Sequence, residues 1–401
     1  MSASIFAAVE MAPRDPILGL TEGFNADKNP NKVNLGVGVY YSDDGKIPLL
    51  NAVRAAEKTR LEAMPPRGYQ PIEGPAAYSQ AVQKLVFGET SPLLADGRVI
   101  TAQCLGGTGA LKVGADYLKR LLPAAKVYIS DPSWENHKAL FESAGFTVES
   151  YPYYDASTRG VDFASMKSTI GTLPAGSIVV LHACCHNPTG ADLTPEQWQD
   201  VVGAVRERNL VAFIDMAYQG FADGIKPDAI ALDLFAASGL QFFVSSSFSK
   251  SFSLYGERVG ALSIVTANKD ESARVMSQLK RVIRTNYSNP PTHGGAIVAN
   301  VLSSPELRAV WEQELAGMRD RIRTMRIGLV DKLKARGIAQ DFSFVARQRG
   351  MFSYTGLTVT QVEKLRSDFG IYAVSTGRIC LAALNNKNID YVADAIATTL
   401  K

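Results

Sequence analysis

The sequence predicts an α/β fold with a mostly parallel central sheet, helices on both faces of that sheet, and a smaller α+β domain. At 401 residues the chain is long for a single core. Short, continuously apolar segments recur between helical stretches, which is typical of parallel strands buried on both faces. The predicted strands are Val99–Leu105, Val127–Ser130, Ile178–Ala183, Leu210–Ile214, Phe242–Val244 and Ala261–Val265. Binding groups are expected just beyond their carboxyl ends.

The N-terminal part of the chain predicts an arm followed by the first elements of the fold. Residues up to about Lys32 are irregular and punctuated by proline, so we expect this arm to lie on another surface, such as a partner subunit. Val33–Tyr40 alternates apolar and small residues. This pattern predicts a strand whose backbone another group can approach closely. Asn51–Met64 and Ala110–Leu122 have helical spacing.

The C-terminal part predicts one long helix and a small α+β unit. Pro305–Ala335 carries apolar residues along one side at helical spacing. Beyond it the pattern predicts strands at 350–354 and 371–374 and helices at 360–369 and 388–400. We therefore expect an N-terminal arm with part of the small domain over 1–43, a large domain over 44–315 and a small C-terminal domain over 316–401.

Composition narrows the class of function. The formal net charge is +3 and the chain is 46% apolar and 20% charged, which disfavours nucleic acid or a membrane surface as partner. No apolar run approaches a membrane span, and no export pattern opens the sequence. The four cysteines, two of them adjacent, form no disulfide framework. The expected location is a reducing cytoplasm.

The stretch Ser245–Gly260 holds the most specific chemistry. A row of hydroxyl side chains contains Lys250 and is followed eight residues later by Arg258. Hydroxyl donors beside a guanidinium suit a phosphate dianion, and a primary amine next to that phosphate can form a Schiff base with an aldehyde. A solvated lysine in a serine-rich loop is the plain alternative for this stretch.

Two further motifs fit the same chemistry. Gly106–Gly109 follows an extended run and opens a helix, so its backbone N–H groups could hold a phosphate; a structural turn or half of a dinucleotide fingerprint are alternatives. Asp215 ends a predicted strand with Tyr218 three residues later. Such a carboxylate can keep a pyridine nitrogen protonated, and the phenol can donate to a ring oxygen. An Asp that caps the next turn is the alternative.

Two further loops, each after a predicted strand, contain candidate aromatic and amide groups for the site. His182–Gly190 contains two histidines and two adjacent cysteines, but that spacing disfavours zinc, and Asn187 before a proline predicts a rigid turn. Trp134 could stack on an aromatic ring or belong to the core. His137 could lie behind Asp215 as a supporting partner.

Two arginines lie where regular patterns give way to turns. Arg284 precedes a turn with two prolines, and Arg378 follows Ser375–Gly377. Each could fork onto a substrate carboxylate or form a surface ion pair.

In chain order, these motifs resemble the fold-type I pyridoxal phosphate enzymes, specifically the aspartate/aromatic-amino-acid branch of class I aminotransferases. The resemblance covers essentially the whole chain. It is carried by residues 34–40, 106–111, 184–190, 217–221, 247–260, 286–291 and 375–378.

The resemblance implies roles around the cofactor ring. Lys250 is expected to form the Schiff base and then to move a proton. Asp215 pairs with the pyridine nitrogen, Tyr218 and Asn187 contact the 3-oxygen, and Trp134 stacks on the ring.

The resemblance also implies a phosphate site, a substrate site and a partner. The phosphate is expected to contact Gly107, Thr108, Ser247, Arg258 and, from a neighbouring subunit, Tyr69. Arg378 binds the α-carboxylate near the backbone of Gly38, with Trp134 and Asn187 beside the substrate. Arg284 from the neighbouring subunit meets a side-chain carboxylate. The expected assembly is therefore a homodimer with composite active sites.

The expected activity is exchange of the amino group of aromatic amino acids and/or aspartate with 2-oxoglutarate, by a ping-pong mechanism that uses pyridoxal phosphate. Residues 111–120, 131–137, 253–258 and 377–380 resemble the bacterial aromatic-amino-acid enzymes, and retention of Arg284 implies that dicarboxylates are also accepted. The alternatives are a strict aspartate enzyme and a non-catalytic amino-acid sensor on the same fold. A lyase or decarboxylase is disfavoured by the paired arginines, and a nicotinamide dehydrogenase by the missing helix after Gly36–Gly38.

Overall fold

The computed structural model describes residues 4–12, 15 and 17–401. Its strands are β1 Val33–Asn34, β2 Val99–Leu105, β3 Lys126–Asp131, β4 Thr147–Pro152, β5 Tyr154–Asp155, β6 Gly160–Val161, β7 Ile178–His182, β8 Val211–Met216, β9 Phe242–Ser247, β10 Val259–Val265, β11 Phe352–Tyr354, β12 Ile371–Tyr372 and β13 Arg378–Cys380. Its α-helices are α1 Leu18–Ala26, α2 Asn51–Ala63, α3 Ala76–Phe87, α4 Pro92–Ala95, α5 Gly106–Leu121, α6 Glu135–Ser143, α7 Phe163–Ile170, α8 Pro195–Glu207, α9 Ile230–Ala237, α10 Lys269–Asn286, α11 His293–Ser303, α12 Pro305–Ala335, α13 Ser343–Arg347, α14 Val359–Phe369 and α15 Ile389–Leu400.

The central sheet confirms the predicted fold class. Seven strands lie in the order β2-β10-β9-β8-β7-β3-β4. All neighbours are parallel except β10, which runs antiparallel to both β2 and β9. Each of the six predicted strand segments belongs to this sheet. The edge strand β4 was not predicted, because most of its side chains are exposed or half-buried and form no continuous apolar run.

The sheet is buried on both faces, as the apolar strands predict. Along β8, Phe213 belongs to one apolar cluster, whereas Ala212 and Ile214 belong to the other. Along β9, Phe243 faces the first cluster and Val244 the second. Successive side chains of a strand point to opposite faces, so each strand contributes to both cores. This burial fixes the register that brings the polar strand ends together.

Two predictions for the N-terminal segment were wrong. Val33–Tyr40 is not one strand: only β1 pairs, with β12, and the following residues bend. The close approach was predicted correctly, because a Cβ on Gly38 would lie 2.6 Å from the ring of Phe352. The arm is not irregular throughout, since it contains α1. Residues 1–3, 13, 14 and 16 of the predicted arm lie outside the described residues.

The helix α12 has the bounds that the sequence predicts. Its first residue is Pro305, and the preceding Ser304 accepts a hydrogen bond from the backbone N–H of Leu307 at 3.3 Å, which satisfies one free donor of the first turn. The helix packs against α2 and α11 and also against α13 and α15. It therefore links the sheet region to the C-terminal elements. In the described part of the chain, no helix combines the length and apolar character needed to cross a membrane.

Packing of α5 on the sheet gives a testable prediction. A Cβ on Gly114 would lie 2.6 Å from the ring of Phe213, so Gly114→Ala should lower the free energy of unfolding by about 1–3 kcal/mol. Gly203 in α8 is a matched control, because no atom lies within 4 Å of its added Cβ. Gly203→Ala should raise the free energy of unfolding by about 0.5–1 kcal/mol through helix propensity. Denaturant titrations measure both, and equal effects would contradict this packing.

Candidate active site

One cavity lies at the carboxyl ends of the central strands and is closed on its other side by residues of the C-terminal part. Its wall combines hydroxyl, carboxylate, amine, guanidinium and aromatic groups. The lining residues are Ile17, Gly38, Gly107, Thr108, Leu111, Trp134, His182, Asn187, Asp215, Ala217, Tyr218, Ser247, Ser249, Lys250, Tyr255, Arg258, Phe352 and Arg378. The structure thus brings together eleven of the thirteen predicted site residues, all except Tyr69 and Arg284.

Lys250 lies in the turn that follows β9. Its amine is 4.8 Å from the centre of the Tyr218 ring. Burial lowers the pKa of Lys250 to about 8; Asp215 raises it and Arg258 lowers it further. A large fraction of the amine is therefore neutral near pH 8, and a neutral amine can act as a nucleophile and accept a proton.

Asp215 near the end of β8 is a buried carboxylate with partners on both oxygens. His137 Nε2 donates to Oδ2 at 3.0 Å, and Ser245 Oγ donates to Oδ1 at 2.7 Å. Burial alone raises the pKa of Asp215, but the hydrogen bond and charge of His137, with His182 and Ser245, outweigh burial and hold the pKa below its usual value. The predicted place of His137 behind Asp215 is confirmed by this contact.

His182 is a site residue that sequence reasoning did not single out. Its ring lies 4.9 Å from the ring of His137 and 4.3 Å from that of His186. Neither ring nitrogen has a hydrogen-bond partner among the described residues. Burial, reinforced by the charge of His137 and opposed by Asp215, lowers the pKa of His182 to about 3, so its ring is neutral. The sequence held no local signal for this role, because the place of His182 beside Asp215 follows from the pairing of β7 with β8.

The first turn of α5 and the loop after β9 form a seat for an anion. Gly107 and Thr108 at the start of the helix face Ser247, Ser249 and Arg258 around the cavity. Arg258 Nη1 donates to Ser249 Oγ at 3.3 Å and to the carbonyl of Tyr255 at 3.0 Å. Free N–H groups, hydroxyls and a guanidinium are the donor set that a phosphate dianion requires.

The glycines of this seat are needed for space. Gly106 has a φ of +70°, and a Cβ there would lie 2.6 Å from Arg258 Nη2. A Cβ on Gly107 would lie 3.1 Å from Cβ of Ser247. Side chains at these positions would fill the seat and displace the guanidinium. The residues present therefore fit the phosphate group of pyridoxal phosphate.

Arg378 joins three segments at the other side of the cavity. Its Nη1 donates to Asn187 Oδ1 at 3.0 Å, and its Nη2 donates to the carbonyl of Gly36 at 2.7 Å. The guanidinium lies 4.3 Å from the centre of the Phe352 ring, and its Nε has no partner among the described residues. Gly38 lines the same cavity. Arg378 has no carboxylate within ion-pair distance in the described part of the chain, and such a fixed guanidinium is suited to bind a carboxylate.

Two aromatic groups flank the middle of the cavity. Trp134 precedes α6 and meets His137 edge to face, with ring centres 5.2 Å apart. Burial raises the pKa of Tyr218, opposed by Arg378, so its phenol remains protonated and can donate a hydrogen bond.

Two predicted site residues do not line the cavity of their own chain. The side chain of Tyr69 is 96% exposed. Arg284 is also exposed, and its Nη1 donates to Ser288 Oγ at 2.6 Å. Both were predicted to serve a neighbouring subunit, so their place outside this cavity agrees with that prediction without testing it.

Several lining residues were missed by sequence reasoning. Tyr255 accepts a hydrogen bond from the backbone N–H of Tyr40 at 2.9 Å and thereby ties the N-terminal segment to the phosphate seat. Ser249 was part of the hydroxyl row but received no role. Phe352 and Ile17 come from distant parts of the chain, and no local pattern distinguishes them from core residues.

The cysteine and histidine motif contributes residues to two groups whose possible ligand atoms lie close together. They are His137, His182 and Asp215, and Cys184, Cys185 and Asp228. Asp228 already accepts hydrogen bonds from four backbone N–H groups of residues 220–224. Burial raises the pKa of Cys185 to about 11, which keeps its thiol protonated. The absence of a structural metal stays a prediction.

Comparison with known proteins gives the family. The model of aminotransferase class I and II matches residues 30–396. The chain belongs to this family. An aspartate aminotransferase of Pseudomonas aeruginosa is 68% identical over 397 residues, 99% of this chain and 100% of that protein. The aromatic-amino-acid aminotransferase of Escherichia coli is 50% identical over 398 residues, again 99% of this chain and 100% of that protein.

A solved structure extends the family resemblance to three dimensions. An aromatic-amino-acid aminotransferase of Burkholderia pseudomallei, covalently bound to pyridoxal phosphate, has a TM-score of 0.98 and 69% identity, with 100% of both chains covered. A psychrophilic aromatic-amino-acid aminotransferase of Psychrobacter, crystallised with aspartic acid, has a TM-score of 0.97 and 47% identity, covering 99% of this chain and 100% of that one. The fold predicted from the sequence is thus the fold of this family.

The lowered pKa of Lys250 gives a prediction for the cofactor-free protein. The neutral fraction of an amine with a pKa of about 8 rises steeply from about pH 7 to about pH 9 and then levels off. The rate of covalent pyridoxal phosphate uptake, followed by absorbance after rapid mixing, should follow that curve. A rate that still climbs at about pH 10 would show that the amine titrates like an ordinary lysine.

Proposed function

We propose that this protein is a pyridoxal phosphate-dependent aminotransferase that exchanges the amino group of aromatic amino acids and/or aspartate with 2-oxoglutarate. The observation that carries the proposal is one cavity lined by the amine of Lys250, the carboxylate of Asp215 and the guanidinium of Arg378. These groups stand beside an anion seat built from Thr108 and Arg258. A Schiff-base amine, a partner for a ring nitrogen and a carboxylate-binding group are what transamination requires.

Pyridoxal phosphate supplies an aldehyde that takes up the amino group and a protonated ring that withdraws electrons from the substrate carbon. The phosphate would be held by Gly107, Thr108, Ser247 and Arg258. These residues come from the first turn of α5, the end of β9 and the position just before β10.

The ring is oriented by residues of the central strands and loops. Asp215 remains ionised and would pair with the ring nitrogen, which would keep that nitrogen protonated. Tyr218 would donate its phenolic hydrogen to the 3-oxygen, and Asn187 would contact the same oxygen. Trp134 would stack on the ring and exclude water from that face.

Lys250 is the residue that moves the proton. As a neutral amine it accepts a proton from the substrate Cα and returns it later in the cycle. Its lowered pKa matters because an ordinary lysine would be almost fully protonated near neutral pH. Arg378 meanwhile holds the α-carboxylate, which keeps the reacting carbon within reach of the amine.

The active form in this proposal is a homodimer with composite sites. Tyr69 reaches the phosphate of the neighbouring subunit, and Arg284 meets a side-chain carboxylate there. The proposal is supported by the exposure of Tyr69 and by large apolar side chains that lie exposed in the N-terminal arm and at the end of α2. These include Ile5, Phe6, Val9, Met11, Leu61 and Met64.

The domain limits and the cellular location belong to the same proposal. The arm with part of the small domain spans 1–43, the large domain 44–315 and the small domain 316–401. The last limit falls inside α12, so this helix belongs to both units. A cytoplasmic location is supported by the four cysteines, all unpaired and buried. A strict aspartate aminotransferase is the second candidate, favoured by the name of the Pseudomonas relative.

The two arginines separate the candidates by substrate. Every amino-acid substrate has an α-carboxylate, so Arg378→Ala should reduce kcat/KM for aspartate and phenylalanine alike. Only dicarboxylates carry a second anion, so Arg284→Leu should reduce kcat/KM for aspartate by about 100-fold or more, roughly 3 kcal/mol, as for a desolvated charge pair. Phenylalanine should be unaffected or improve, because its ring cannot pair with the guanidinium.

An aromatic 2-oxo acid must replace 2-oxoglutarate in a control, so that the acceptor half-reaction does not hide the effect. Equal losses for both amino acids would mean that Arg284 is structural and would overturn the dual specificity. Wild-type protein that turns over aspartate but not phenylalanine would establish the strict aspartate enzyme instead.

A further inference from the structure

A second cleft, which shares no lining residue with the active-site cavity, lies between α12, residues 346–350 and residues 221–223. Its volume is about 340 Å³. Five arginines and one carboxylate contribute the charges of its wall. The charged lining residues are Arg319, Arg323, Arg326, Arg347, Arg349 and Asp223. The cleft is therefore strongly cationic, although the whole chain has a net charge of only +3.

Few of these positive charges are neutralised. Arg349 Nη2 lies 2.9 Å from Asp223 Oδ2, and Arg319 Nε lies 3.4 Å from Asp320 Oδ1. Arg323 and Arg347 have no carboxylate within ion-pair distance in the part of the chain that the structure describes. Cations concentrated in a concave wall raise the local concentration of anions.

The floor of the cleft also has more donors than acceptors. Arg326 is 2% exposed, and its terminal nitrogens donate only to carbonyl oxygens, among them those of Val345 at 3.0 Å and Gly350 at 2.7 Å. Arg326 Nε and Gln348 Nε2 have no hydrogen-bond partner among the described residues. Gln348 is 6% exposed, and its Oε1 accepts a hydrogen bond from Ser353 Oγ. Burial lowers the pKa of Arg326 to about 10, so its guanidinium still carries a positive charge near neutral pH.

We propose that this cleft binds a small multivalent anion, either a phosphorylated compound or a polycarboxylate. Arg323 and Arg347 on opposite walls hold its oxygens, since a guanidinium forks onto phosphate and carboxylate groups alike. The charge of Arg326 beneath them strengthens the attraction. The bound anion bridges α12 and the segment that leads into β11.

The site is connected to the active-site wall. Arg326 Nη2 donates to the carbonyl of Phe352 at 2.5 Å, and the ring of Phe352 packs on Arg378. Gln348 accepts a hydrogen bond from Ser353, the next residue of β11. The floor of the cleft therefore holds the backbone that positions one wall of the active-site cavity.

Calorimetric titration of the holoenzyme tests the proposal, because its bound cofactor already fills the phosphate seat. Pyrophosphate and citrate are the two probes, at constant ionic strength maintained with sodium chloride. At least one probe should show saturable binding with one site per chain, and the probe that binds more tightly identifies phosphate or carboxylate chemistry. The double variant Arg323→Gln/Arg347→Gln should bind at least about tenfold more weakly.

Two controls locate the site. Arg366→Gln removes an exposed arginine from α14, away from the cleft, and should leave the affinity unchanged. Arg378→Ala should also leave it unchanged, because the active-site guanidinium takes no part. No saturable binding of either probe, an unchanged affinity in the double variant, or loss of binding in Arg378→Ala would each overturn the proposal.

Discussion

The hydrogen bonds that keep the buried carboxylate of Asp215 ionised are the interaction on which the rest of the site depends. A carboxylate that is 6% exposed loses its charge unless donors compensate for lost water. The sheet supplies one of them through register, because β9 places Ser245 beside Asp215. His182 on β7 lies beside Asp215 on the other side, but its ring nitrogens have no hydrogen-bond partner among the described residues. The second donor, His137, comes from α6. A shift of one residue between β8 and β9 would turn Ser245 away from the carboxylate.

The opposite side of the cavity depends on contacts between segments that are far apart in the chain. Arg378 is held by the carbonyl of Gly36 and the amide oxygen of Asn187, and Tyr40 donates to Tyr255 beside the anion seat. The guanidinium of Arg378 and the anion seat therefore share the N-terminal segment as a common support. The site thus combines a rigid sheet edge with a wall that several loops hold in place.

Much of this arrangement could be predicted from the sequence, because many of the site residues lie in short sequence patterns. Local patterns indicate both structure and chemistry at three places, namely the strand end at Asp215, the glycine run at Gly106 and the hydroxyl row around Lys250. The sequence could not place Phe352, because an apolar residue of a short strand looks the same in a core and in a cavity wall. Helix α1 was also missed. The strand after Val33 was predicted too long, because pairing there depends on β12, which is more than 300 residues away. His182 was read as part of a cysteine and histidine cluster, because only sheet register reveals its neighbours.

The most direct test of the account is the turnover of Asp215→Asn with an amino acid and 2-oxoglutarate. The account predicts a loss of several orders of magnitude in kcat, while thermal unfolding and bound cofactor show that the variant still folds and binds. The reason is that an amide cannot hold a proton on the ring nitrogen, so electron withdrawal from the substrate carbon is lost. A fall of less than about tenfold, about 1.4 kcal/mol, would contradict the central role of this carboxylate.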